Sequence, residues 1–143
     1  MMKPIAIESY SKHYKVSAEY ETVFLELRGN HPLLKRVGFR KKYIHHYSSS
    51  IAIGDFYGDC LSVLISADES FVAMCGSGSC IVYFLKEPFD KFEYNLKSAQ
   101  FASFNIGGDK LYQSKKDKPH FFRLSGDSKN YLINTKTLSF KEF

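Results

Sequence analysis

Three apolar runs separated by short polar turns occupy the middle of the chain and constrain its fold more than any other feature. Cys60 to Ile65 ends at Ala67-Asp68-Glu69-Ser70, Phe71 to Cys75 ends at Gly76-Ser77-Gly78-Ser79, and Cys80 to Leu85 follows. Runs of this length, rich in β-branched and aromatic residues and bounded by turn formers, predict an antiparallel meander. The first run is almost continuously apolar, which suits a central strand covered on both faces. Alternate positions on the three strands make Val63, Ile65, Phe71, Ala73, Val82 and Phe84 the expected buried set.

The flanks are read from spacing. Val16, Tyr20, Val23, Phe24 and Leu27 recur at three- and four-residue intervals, with Ser17 as a candidate cap, Glu19 and Glu21 in the first turn and Gly29 beyond the end. That pattern predicts an amphipathic N-terminal helix. His31-Pro32-Leu33-Leu34 is a candidate for a second, short helical turn. Residues 88–104 are ambiguous: Phe89, Phe92 and Leu96 fit a helix, while Phe92, Tyr94 and Leu96 alternate as in a strand. Beyond them, 110–113, 120–124, 130–134 and 138–143 read as strands between polar turns. The expected fold is therefore α+β: a single domain over residues 1–143, with the N-terminal helix packed on a mainly antiparallel sheet. A length of 143 residues supports a real core, and 13 Phe with 10 Tyr strengthen the β reading.

No apolar stretch reaches the roughly 20 residues of a membrane-spanning helix, and Glu8 and Ser9 interrupt the N-terminus before signal-peptide length. Cys60, Cys75 and Cys80 are an odd set, expected as buried thiols in a reducing cytoplasm. Cys75 and Cys80 are also placed to face each other across a hairpin, close enough for a bridge if oxidised.

The net charge of +5 is segregated. From Ile51 to Leu85 there is no Lys or Arg, while Asp55, Asp59, Asp68 and Glu69 are present. Lys35, Arg36, Arg40, Lys41 and Lys42 lie before this block, and Lys115, Lys116 and Lys118 after it. An acidic face and a basic face are thus expected to coexist.

Chemical motifs are sparse. Gly76-Ser77-Gly78-Ser79 precedes a strand and carries no lysine, so a hairpin loop accounts for it better than a phosphate cradle. His45-His46 and the cysteine pair lack zinc-site spacing, so no metal or cofactor is expected. Asp55 and Asp59 on a glycine loop rank first as turn residues, second as a recognition surface and third as a catalytic pair. His13, His31 and His120 stand alone, and no nucleophile context surrounds the serines. The expectation is a chain without catalytic residues.

The segment Ile51-Ala52-Ile53-Gly54-Asp55-Phe56-Tyr57-Gly58-Asp59-Cys60-Leu61-Ser62-Val63-Leu64-Ile65, with the later Ala67–Ser70 turn and the Cys80–Phe84 strand, resembles the SUKH superfamily, the SMI1/KNR4-like proteins. The resemblance spans residues 51–84. It implies an α+β binding module, commonly a bacterial immunity protein that neutralises a cognate toxin domain without catalysis. Asp55, Phe56, Tyr57, Asp59, Asp68 and Glu69 are then the expected partner-binding residues. The alternative is a nucleic-acid-binding module working through Lys35, Arg36, Arg40, Lys41, Lys42, Lys115, Lys116 and Lys118. Ser66 to Met74 also looks like part of one β-propeller blade, a reading set aside because the chain has room for only a fragment of such a ring.

Overall fold

The structure is a computed structural model describing residues 7–28, 34–37, 40–43, 50–87, 89–93, 98–126 and 128–143, with the backbone alone in 34–37 and 40–43. The strands are β1 (Ile7–Tyr10), β2 (Tyr14–Glu19), β3 (Thr22–Leu27), β4 (Leu34–Val37), β5 (Arg40–Tyr43), β6 (Ser50–Asp55) and β7 (Ser62–Ile65). They continue as β8 (Phe71–Cys75), β9 (Cys80–Phe84), β10 (Phe101–Phe104), β11 (Lys110–Tyr112), β12 (Phe121–Ser125), β13 (Asn130–Asn134) and β14 (Ser139–Glu142). Three four-stranded antiparallel sheets result, ordered β1-β2-β3-β6, β7-β8-β9-β10 and β11-β12-β13-β14, while β4 and β5 form a hairpin inserted into the first.

This all-β architecture corrects the expected α+β fold. The stretch assigned to an N-terminal helix is instead the β2–β3 hairpin, in which Ala18 faces Val23 and Glu19 faces Thr22. Two periodicities coexist in that stretch. The strand period puts Tyr14, Val16, Ala18, Val23 and Leu25 on one buried face, and it wins because that face meets another sheet. The reversal carries no Gly, Asn or Pro. Tyr20 makes it with φ of +57°, a conformation that costs a side-chain-bearing residue roughly 1–2 kcal/mol. The proposed helical turn at His31 lies largely outside the described residues. No helix forms among those described, and so none is long and apolar enough to cross a membrane.

The central meander and the four C-terminal strands lie where the sequence places them, and Phe101–Phe104 of the ambiguous region is a strand pairing with β9. Burial has a different cause from the one expected. All five residues of β8 are buried, because the middle sheet has a sheet on each side. Val63, Ile65, Val72, Met74, Ile81 and Tyr83 pack towards the first sheet. Phe71, Ala73, Cys75, Cys80 and Val82 pack towards the third, around Phe122, Leu124 and Ile133. The expected core residues thus divide between two clusters, and Phe84 is only half-buried.

The first strands lie together: β7 sits against β1 and β2 on one side and β11 on the other. The Ile65 amide donates to Ser9 Oγ at 3.4 Å, and the Leu111 amide to Ser62 Oγ at 3.3 Å. Stacked four-stranded antiparallel sheets are also the units of which β-propellers are built, and the Ser66–Met74 segment read as part of one blade is the turn before β8 and most of β8 itself. Among the described residues, neither apolar cluster extends over the outer face of the first or third sheet.

Candidate functional site: an acidic aromatic rim

Because each sheet is a meander, alternate turns collect at opposite ends of the stack. At one end the β2–β3 turn and the β6–β7 loop are tied by backbone bonds. The Phe56 amide donates to the Glu21 carbonyl and the Cys60 amide to the Tyr20 carbonyl, each at 2.8 Å. These bonds bring Tyr20, 63% exposed, beside a loop whose Tyr57 is fully exposed and whose Leu61 is also in solvent. Between them Gly58 takes φ of +104°, open to glycine and costly for other residues. Glu21 and Asp59 are exposed, and half-buried Asp55 accepts from Thr22 Oγ1 at 3.5 Å. Asp109, on the β10–β11 connection, extends the acidic edge, and Lys129 is a basic residue of the β12–β13 turn there. A shallow pocket of about 150 Å³ opens between Leu61, Ser77, Gly107 and Asp109.

The six residues expected to bind a partner do not share this rim. Asp55, Tyr57 and Asp59 belong to it. Phe56 is 3% exposed and joins the core between the first two sheets. Asp68 and Glu69 are at the far end of β7, a strand of four residues that spans about 13 Å. Both are tied into the fold. Glu69 accepts from Ser11 Oγ at 2.5 Å and the His13 amide at 3.0 Å, and its Oε1 lies 2.7 Å from His13 Nδ1. The first sheet is thereby latched to the second. Burial alone would raise the Glu69 carboxyl, but these bonds outweigh it and hold it below the usual range. Asp68 accepts from the hydroxyls of Ser66 and Ser70, at 2.9 and 2.6 Å, and is likewise held low against its burial.

Lys115, Lys116 and Lys118 lie at this second end, in the β11–β12 loop. The loop is fixed by Asp117, which accepts from Arg123 Nε at 2.8 Å and Nη2 at 3.1 Å. Gln113 Oε1 accepts from the Ala67 amide at 2.7 Å, joining it to the β7–β8 turn. Acidic and basic residues therefore mix here. In the β4–β5 hairpin the register puts Lys35 opposite Lys42, Arg36 opposite Lys41 and Val37 opposite Arg40.

Among the described residues, no three His, Cys, Asp or Glu side chains converge for a metal; His45 and His46 lie outside them. Cys75 and Cys80 are direct cross-strand partners, buried and unbridged like Cys60. Burial pushes the Cys60 thiol up to about 11 and, with Cys60 and Asp109 nearby, the Cys75 thiol up to about 12. Such thiols are poor nucleophiles at neutral pH.

Sequence spacing puts Tyr20 and Glu21 in the expected helix and Leu61 in the first apolar run, so none of the three is expected at a site. The available signal was the strand alternation on either side of Tyr20-Glu21, which marks a two-residue hairpin without its usual turn residues. Comparison of the chain with known proteins gives no match to a family model, a curated sequence or a solved structure.

Proposed function

We propose that this chain is a non-catalytic protein-binding module that presents the rim of Tyr20, Glu21, Asp55, Tyr57 and Asp59 to a basic protein. The observation that carries this reading is Tyr57, a large ring wholly in solvent beside an exposed Tyr20 held in a strained turn. Rings of this size are usually buried, and exposed tyrosines flanked by charge have the composition of interface hot spots. The acids steer a cationic partner and the rings supply contact area. A cognate toxin domain neutralised in the cytoplasm, which the SUKH resemblance implied, is the first partner of this chemistry to test. Support for it comes from the rim and not from the fold, since the described residues are not α+β.

The test uses the C-terminal domain encoded immediately upstream, captured by wild type and by Asp55→Lys/Asp59→Lys. The double reversal should slow association and weaken binding by about 2 kcal/mol or more, roughly 30-fold. Equal affinity and equal association rate in a folded variant would refute the rim. A nucleic-acid reading rests on Lys115, Lys116 and Lys118 at the opposite end. A steep fall in oligonucleotide affinity with salt, lost on replacing the three lysines, would favour it instead.

A further inference from the structure

We infer that Cys75 and Cys80 are a disulfide site whose state, dithiol or bridged, is set while the chain folds and is then sealed in. The register makes the two residues direct partners across the β8–β9 hairpin. Antiparallel partners alternate between pairs that exchange backbone hydrogen bonds and pairs that do not. The Gly76 amide donates to the Ser79 carbonyl at 2.9 Å, so the bonded pair is the next one along. The Cys75 carbonyl is turned the other way, towards β7, and accepts from the Leu61 amide at 2.8 Å. Cys75 and Cys80 therefore hold a non-bonded position. Cα atoms at such a position are about 4.5 Å apart, inside the roughly 4.4–6.8 Å that a disulfide spans. Closing the bond asks little of the backbone.

Both side chains also lie on one face, in the cluster with Phe104, Phe122 and Leu124. Cys60 packs with the other cluster, between the first and middle sheets, and its Sγ donates to the Ser62 carbonyl at 3.5 Å. The pairing is thereby decided: Cys75 with Cys80, and Cys60 left as a thiol. Burial then separates the two states. Cys75 and Cys80 are 0% exposed, and exchange requires a thiolate to meet a disulfide sulfur. With oxidised glutathione as the oxidant, one cysteine thiolate attacks a glutathione sulfur. The glutathione S–S bond breaks, a mixed disulfide forms and one glutathione leaves. The second cysteine thiolate attacks the protein sulfur of that mixed disulfide and releases the second glutathione. Two electrons pass to glutathione, and the two thiol protons end on its two released molecules. A glutathionyl group has no room in the closed cluster, so these steps belong to the hairpin before β11–β14 cover it. The folded chain keeps whichever state it closed with.

The full chain is unfolded, reduced and refolded in two buffers, one holding mainly oxidised glutathione and the other dithiothreitol. Each product is alkylated in denaturant, digested with chymotrypsin and mapped by mass spectrometry. Refolding with glutathione should give a fragment in which Cys75 and Cys80 are unalkylated and lighter by two hydrogen atoms, with Cys60 alkylated. Refolding with dithiothreitol should give all three cysteines alkylated. The bridged form should melt about 5–10 °C higher, the effect of closing a six-residue loop in the unfolded chain. Cys60→Ala should form the same bridge and show the same rise. Folded dithiol protein moved into the glutathione buffer should remain dithiol over the hours in which refolding chains become bridged. No bridge on refolding, a bridge to Cys60, or a bridged form no more stable than the dithiol overturns the inference. So does a folded chain that oxidises as fast as the refolding one.

Discussion

Consecutive residues of β9 provide a demanding test of the stack, because Ile81 and Val82 point into different cores. Ile81 packs towards the first sheet and Val82 towards the third, and both are buried. Val82→Ala removes two carbons at about 0.8 kcal/mol each and leaves a cavity, for a cost of about 2–3 kcal/mol. Ile81→Ala removes three and should cost about 3–4 kcal/mol on the same arithmetic. A chain of this length loses about 4 °C of Tm per kcal/mol, so the falls should be about 8–12 °C and 12–16 °C. Urea denaturation monitored by far-ultraviolet circular dichroism measures both costs, and an unchanged m-value would place the effect on stability alone. A sheet with one wet face predicts something else: one large loss and one within about 0.5 kcal/mol. That asymmetry would refute the three-layer arrangement.

Tyr20→Gly removes a strained side chain that is mostly in solvent, so stability should hold or rise by up to about 1 kcal/mol while partner binding weakens; a loss of stability above that size would show that the ring supports the fold. Glu69 has a folded pKa below its unfolded value, so its contribution is complete above the unfolded value near 4.3 and disappears as pH falls through the folded one. Glu69→Gln should therefore melt lower than wild type at pH 7, with the gap closing below about pH 4, and a gap independent of pH would count against the carboxylate latch. The three buried thiols should resist alkylation at pH 7.5 in the native protein and react at ordinary rates in denaturant, as followed by mass spectrometry.

How much of the fold the sequence discloses follows from where its signals are local. The meander from Ser62 to Phe84 and the strands after Lys110 are punctuated by Gly, Ser, Asp and Asn, and turn chemistry of that kind is readable without a partner surface. The β2–β3 hairpin lacks such punctuation, and its apolar residues satisfy a helix period and a strand period alike. Tertiary contact decides there, through Val16, Val23 and Leu25 meeting the middle sheet. Charge segregation was legible as composition. Its spatial form was not, since β7 carries Asp59 and Asp68 to opposite ends. Phe56 shows the same limit: an aromatic in an acidic loop reads as an anchor until a layer beneath it is known.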